Sequence, residues 1–243
     1  MMKQGFVDIH THILPGIDDG SRDWAQTERM LQLQSEQGVT DIIATPHFDM
    51  EQNYQNPQKL RELVMEANEH AKNKGIEITI HTGCEVLYTP GVLEAYRKGD
   101  ILTLADSQYL LLEFFPRSSY QEISEAVSAF TMEGVTPVLA HVERYECLMN
   151  QYDRLYELMK KGAVMQMNSR SLLGKRFDKR VRMCRKMVEN GFVHFLGSDC
   201  HNEEERPPKM QEPRDVIAKL YGEQSADNLT ENNARYILEK KFL

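Results

Sequence analysis

Tyr109-Leu110-Leu111-Leu112-Glu113 is an unbroken apolar run closed by a carboxylate. A strand with one wet face alternates apolar and polar side chains, so a run without alternation marks a strand covered on both faces, as in a parallel sheet with helical crossovers. The surrounding chain keeps that rhythm. Short β-branched or apolar runs at residues 6–10, 41–45, 76–82, 136–140, 163–167 and 193–197 are separated by helical-period segments or brief turn regions. With 109–112 they make seven strands. Right-handed crossovers would wrap these into an α/β fold, a distorted (β/α)7 TIM-like barrel.

The helix ends are readable. Asp23 with Gln26 resembles a capping box ahead of a helix over 24–37, which contains Met30, Leu31 and Leu33 and stops at Gly38. Asn56-Pro57 opens a second helix to about residue 74, ended by Gly75, the favoured order of proline at the start and glycine past the end. Residues 229–240 read as a last helix. No low-complexity tract or linker interrupts the pattern, and 243 residues with 41% hydrophobic content suffice for one core, so residues 1–243 are read as a single domain.

A net charge of −8 with no basic tract argues against binding to nucleic acid or to an anionic membrane surface. The N-terminus lacks the charged and apolar regions of a signal peptide, and no apolar stretch reaches membrane-spanning length. A cytoplasmic protein without membrane insertion is expected. Cys84, Cys147, Cys184 and Cys200 form no CxxC pair, so they are read as free thiols rather than a zinc knuckle or disulfide framework.

Chemistry-bearing residues recur where strands end: His10 and His12, then His47, Glu85, Glu113, His141, and Asp199 with His201. Parallel barrels gather the carboxyl ends of their strands on one rim, so residues far apart in sequence converge there. Strand residues two apart share a face, which puts His10 and His12 roughly 6–7 Å apart, within reach of one ion. Asp199-Cys200-His201 repeats the spacing. A lone histidine is more often structural than a ligand; the recurrence is what points to metal. His70, His81 and His194 fall outside the pattern and are read as structural or exposed. Glu113, at a buried strand end, is costly without a cation, or else emerges into solvent, and Glu85 carries the same ambiguity. Asp18 and Asp19, before Gly20, either form an Asx-type turn or contribute to the site.

Asp8-Ile9-His10-Thr11-His12, Asp18-Asp19-Gly20, Ala44-Thr45-Pro46-His47 and Ser198-Asp199-Cys200-His201-Asn202 resemble the PHP superfamily, named for polymerase and histidinol phosphatase, nearly end to end. Gly83-Cys84-Glu85, Leu112-Glu113-Phe114, Ala140-His141-Val142-Glu143-Arg144-Tyr145 and Arg206-Pro207-Pro208 are similar to the bacterial manganese-dependent tyrosine phosphatases of capsular and exopolysaccharide loci. The resemblance implies a barrel of the PHP type carrying three divalent metal ions, manganese first, with iron or zinc as alternatives. His10, His12, Glu85 and Asp199 would hold one ion, Asp19, His47 and His201 a second, and Glu85, Glu113 and His141 a third. Other superfamily branches often place histidine where Asp19 and Glu113 stand, and this departure favours the tyrosine-phosphatase branch. Three divalent ions against four carboxylates leave about +2, which suits a phosphate dianion. Arg144 and Arg206 match two arginines expected at that phosphate, and His201 is a further candidate for assisting protonation. The implied reaction is direct hydrolysis of phosphotyrosine, with the tyrosine-rich tail of a bacterial autokinase as the substrate protein.

Other readings stay open at this level. Cys200 and Arg206 have the C-x5-R spacing of cysteine-dependent tyrosine phosphatases, although Glu203-Glu204-Glu205 and Pro207 suit a phosphate cradle poorly. A small-molecule phosphatase acting on histidinol phosphate has the same chemistry with another pocket. An inert metal-bearing module that binds a phosphorylated tail is the alternative from a different class. A binuclear amidohydrolase also opens on HxH but commonly needs a lysine where this chain has Glu113. Phe48, Met50 and Tyr54 are candidates for the pocket border. No feature specifies an oligomeric state.

Overall fold

The continuous apolar run forms strand in the computed structural model, which describes residues 5–51, 56–175 and 177–243; Tyr54 lies outside the described residues. The strands are β1 (Phe6–Thr11), β2 (Val39–Ala44), β3 (His47–Phe48), β4 (Thr79–Thr82), β5 (Glu85–Leu87), β6 (Tyr109–Glu113), β7 (Thr136–Leu139), β8 (Val164–Asn168) and β9 (Phe195–Gly197). Between them run α1 (Trp24–Glu36), α2 (Pro57–Asn73), α3 (Val92–Lys98), α4 (Tyr120–Met132), α5 (Tyr152–Lys160) and α6 (Lys179–Glu189). After β9 come α7 (Gln211–Tyr221), α8 (Glu223–Asp227) and α9 (Asn233–Leu238).

Every strand pair is parallel. One sheet has the order β1-β2-β4 and the other β3-β5-β6-β7-β8-β9. β2 and β3 are successive halves of one strand path, broken where Pro46 lacks a donor, and β4 and β5 are halves of another, broken at Gly83-Cys84. The nine runs therefore trace seven strand paths, as the sequence pattern indicates. The circuit closes because Thr11 pairs in parallel with Cys200, Asp199 N–H donates to the His10 carbonyl at 2.8 Å, and His12 N–H donates to the Cys200 carbonyl at 3.0 Å. Two broken strands and this short seam are what distort the barrel. β1 slips in its pairing with β2 between Asp8 and Thr11, an irregularity of the kind that re-aims side chains beside sites.

Alternate residues of the opening run enter two cores. Tyr109 and Leu111 pack with Val7, Ile9, Val138 and Phe195, and Ala234 and Ile237 near the end of the chain join that cluster. Leu110 and Leu112 join the cluster that also contains Ile123, Val127 and Phe130 of α4. Both clusters are closed to water, which is why the run needs no polar alternation.

The helix signals hold, with local differences. Asp23 accepts from the Gln26 N–H at 2.8 Å, but the Gln26 side chain accepts from the Arg22 N–H at 2.9 Å instead of closing a reciprocal box. Asn56 caps α2 ahead of Pro57, and Gly75 adopts φ +69°. The third strand begins at Thr79 rather than 76, because the Ile76 N–H closes the end of α2 on the Ala71 carbonyl. The seventh begins at Phe195 rather than 193, after Phe192 does the same for α6 on Met187. The last helical stretch begins at Glu223 rather than 229 and passes through a wide turn at Asn228–Asn232. Among the described residues no helix is long and apolar enough to cross a membrane, and all four cysteines are free.

Candidate metal centre

The strand ends bring the expected residues together. His10 and His12 leave β1, His47 opens β3, Glu85 opens β5, Glu113 ends β6, His141 follows β7, and Asp199 and His201 follow β9. Asp19 reaches in from the loop after β1. At the centre, Glu85 Oε2 lies 3.1 Å from His10 Nε2, 3.3 Å from His12 Nε2 and 3.2 Å from His47 Nδ1. Its other oxygen is 2.9 Å from His141 Nε2, which is also 3.2 Å from Glu113 Oε1. Asp19 Oδ1 is 3.2 Å from His201 Nε2 and 3.4 Å from His47 Nε2.

The donor set fits divalent cations. His10 Nδ1 faces the Gln166 side-chain oxygen at 3.1 Å, and His12 Nδ1 faces Asp18 Oδ2 at 2.8 Å. Protons held at both Nδ1 atoms leave two Nε2 lone pairs, 3.3 Å apart and buried, converging beside a carboxylate. Lone pairs repel unless a cation lies between them. His201 Nε2 is likewise buried without a hydrogen bond, since Asp19 lies near it but outside bonding geometry. Among the described residues three groups place their ligand atoms within 4.8 Å of one another: His12, Asp19, His47 and His201; His10, His12 and Glu85; and His47, Glu85 and Glu113.

These groups overlap the implied coordination shells with three differences, the first being that His12 joins Asp19, His47 and His201. Asp199 Oδ1 stands 3.6 Å from His12 and 3.7 Å from His10, because its oxygens are taken by Arg206 at 2.8 Å, Arg144 at 2.7 Å and the Asn168 amide at 2.6 Å. The third group contains His47 where the resemblance implies His141, although His141 touches the same two carboxylates.

Electrostatics point the same way. Burial pushes the Glu85 carboxyl up, but His10, His12 and His141 outweigh it and hold the group well below the usual range. His201 and His47 hold Asp19 down. Burial lowers His141, yet Glu113 and Glu85 raise it to about 9, and His12 is also drawn well above an ordinary histidine by Asp18 and Glu85 against its burial. The cluster thus demands positive charge at its centre, which divalent cations supply.

The backbone is strained where it delivers these groups. His141 has φ +32° and Asp199 φ +52°, conformations that cost a non-glycine residue about 1–3 kcal/mol.

Sequence reading left Asp18 undecided between a turn and the site; it does both, accepting the Gly20 N–H at 2.9 Å while orienting His12. It misses Gln166 and Asn168, whose signal is two amides at i and i+2 inside an otherwise apolar, fully buried strand. The outlying histidines have local partners: His70 pairs with Glu28 at 2.7 Å, His81 with Asp41 at 3.0 Å, and His194 Nδ1 accepts the Met165 N–H at 3.1 Å. Phe48 is buried core, whereas Met50 is exposed. Cys200 faces away from the centre, buried, 3.7 Å from the Gln34 amide of α1.

The sequence profile described as "Capsular polysaccharide synthesis, CpsB/CapC" matches residues 6–239. The tyrosine-protein phosphatase CpsB of Streptococcus pneumoniae is 36% identical, over 98% of this chain and 100% of that protein. The tyrosine-protein phosphatase YwqE of Bacillus subtilis is 34% identical, over 93% of this chain and 89% of that one. A solved chain from the crystal structures of YwqE and CpsB, described as "unique metal-dependent tyrosine phosphatases", is 31% identical and superposes with a TM-score of 0.91, covering 98% of this chain and 96% of its own. The phosphotriesterase homology protein of Escherichia coli, 12% identical with a TM-score of 0.59 over 94% of this chain and 97% of its own, shares the fold alone. With residues 6–239 matched by the family profile and nearly its full length matched by a relative 36% identical, the chain belongs to the CpsB/CapC family.

Proposed function

We propose that this chain is a metal-dependent protein-tyrosine phosphatase, a phosphoric monoester hydrolase serving capsular or exopolysaccharide synthesis. The observation that carries the reading is the convergence of His10 and His12 Nε2 on Glu85, each imidazole fixed from behind, at a mouth where Arg144 and Arg206 flank Asp199. The finer reading is of three ions, manganese first, bound by His10, His12, Asp19, His47, Glu85, Glu113, His141, Asp199 and His201 in one cytoplasmic domain. Its substrate is the phosphorylated tyrosine-rich tail of a bacterial autokinase.

Bound divalent ions supply Lewis-acid stabilisation of phosphoryl oxygens and an activated water. The chain's own residues do the positioning. Arg144 and Arg206 are each about one-third exposed and bind Asp199 through one terminal nitrogen, leaving further N–H donors for phosphoryl oxygens. His201 Nδ1 donates to the Asp199 carbonyl at 3.1 Å and burial lowers its pKa, which favours the ligand role over proton donation. A tyrosine phenol titrates near about 10, so its phenolate leaves without an obligatory acid. Cys200 offers no nucleophile: burial pushes its thiol up, and it sits behind the strand.

The test is phosphate release from a phosphotyrosine peptide and from histidinol phosphate, measured side by side after chelation and re-addition of manganese, iron or zinc. Peptide turnover should vanish and return with metal. A rate that survives chelation, or faster turnover of histidinol phosphate, would sink the proposal.

A further inference from the structure

We propose that a cleft beside Arg144 receives a second phosphotyrosyl side chain of the same substrate, next to the one being hydrolysed; this rests on the phosphatase reading above. The cleft, about 480 Å³, lies between the segments after β6 and β7 and the first turns of α6. That size falls within the roughly 300–1,000 Å³ of ordinary small-ligand clefts. Pro116, Met149 and Met183 give it an apolar lining, and Arg144, Lys179 and Arg180 bring three cations to it.

Arg144 belongs to both places. Its guanidinium binds Asp199 at 2.7 Å in the metal-ligand cluster and also lines the cleft, so the cleft opens from the phosphate end of the active site. Lys179 and Arg180 have no ion-pair partner among the described residues, and the one carboxylate in the lining, Glu146, faces Arg117 at 3.4 Å. A second hollow continues past Arg144 and Arg180 and adds Arg170, against the single carboxylate of Asp178. In a chain of net charge −8 this is a local reversal of sign. The opposite flank of the mouth is lined by Asp19, Glu203, Glu204 and Glu205 against Arg22, which turns an added anion toward the Arg144 side.

The two chemistries of the cleft select the occupant. A carboxylate side chain would leave the apolar lining unused, and an aliphatic one would leave the cations unanswered. An aromatic ring bearing a phosphate satisfies both, with methionine sulfur against the ring and guanidinium and ammonium groups on the phosphate.

The test uses the metal-loaded protein and three peptides: one with two phosphotyrosines at varied spacing, one with a single phosphotyrosine, and one with glutamate in place of the second. Binding is read by anisotropy with non-hydrolysable phosphonate analogues, and turnover by phosphate release. The doubly substituted peptide should bind about tenfold tighter than the single one. The Lys179→Ala/Arg180→Ala variant should lose that preference while hydrolysing p-nitrophenyl phosphate at the wild-type rate. Equal binding of single and double peptides, equal binding of the glutamate peptide, or a preference retained in the variant would overturn the proposal. The binding arm reports the cleft and the p-nitrophenyl phosphate arm reports the phosphatase reading, so the failure of one is distinct from failure of the other.

Discussion

His12 and Asp18 are joined at 2.8 Å through Nδ1 and Oδ2, with both side chains excluded from solvent. The same carboxylate oxygen accepts the His47 N–H at 3.1 Å. One aspartate outside the ligand cluster thus fixes the tautomer of one histidine and the position of another. Burial alone would raise the Asp18 carboxyl; its contact with His12 reverses this and keeps it ionised.

Asp18→Asn should therefore lower metal affinity about 10–100-fold without unfolding the barrel, because an amide neither stabilises His12 as the carboxylate does nor fully replaces the acceptor for His47. Competition against a chelator measures the affinity and circular dichroism checks the fold. If affinity is unchanged, Asp18 is only the turn residue that Asp-Asp-Gly suggests.

The sequence shows the candidate ligands at strand ends and hides the buried partners that hold them and the local backbone that aims them. The apolar run 109–112 and the strand-end positions of His10, His47, Glu85 and Glu113 are readable because strand period and rim geometry are regular. His141 and Asp199 are readable from the same strand-end pattern, but the left-handed backbone that aims them is not, since hydrophobic period carries no sign of a positive φ. The breaks at Pro46 and Gly83-Cys84 leave no mark in hydrophobic pattern, since β3 (His47–Phe48) and β5 (Glu85–Leu87) are too short to show a period of their own. Gln166 and Asn168 were passed over because a buried amide has meaning only once its partners are known.

Gly197 is required by close approach rather than by turn geometry. A methyl group there would stand 2.6 Å from His10 Cβ and 2.9 Å from the Gln166 amide nitrogen. Gly197→Ala should push His10 out of alignment, reducing metal content and phosphatase activity by more than tenfold, with a stability loss of about 1–3 kcal/mol from overpacking. Metal analysis of the purified variant decides it; full occupancy would show that β1 yields without disturbing the ligands.

Cys200→Ser separates the two phosphatase chemistries that the motif offers. Its Sγ is buried against the Gln34 amide of α1, so the variant should keep metal-dependent turnover within a few-fold. Complete loss of activity with metal still bound would restore the thiolate route.

Acid sensitivity has one source outside the metal site. Burial depresses His194 to about 4, and its Nδ1 must stay unprotonated to accept the Met165 N–H. An unfolded histidine titrates near about 6.5, so between these values the unfolded chain binds more protons. The contribution of His194 is complete above about pH 6.5 and is lost as pH falls toward 4. Urea unfolding in the presence of chelator should show a steeper loss across that window for wild type than for His194→Gln. Parallel profiles would remove His194 as the cause.

Arg144 and Arg206 hold opposite oxygens of Asp199, at 2.7 and 2.8 Å, and this double contact allows two explanations for any loss of activity. If they clamp the substrate phosphate, Arg206→Lys keeps the charge but loses the planar fork. It should reduce kcat/KM by about 10²–10³ and weaken inhibition by inorganic phosphate, with metal affinity unchanged. If they serve only to position Asp199, metal affinity should fall in step with activity while phosphate inhibition of the metal-loaded fraction stays constant. Parallel metal titration and phosphate inhibition of Arg144→Lys and Arg206→Lys distinguish the two, and the spare donors on both guanidiniums favour the first.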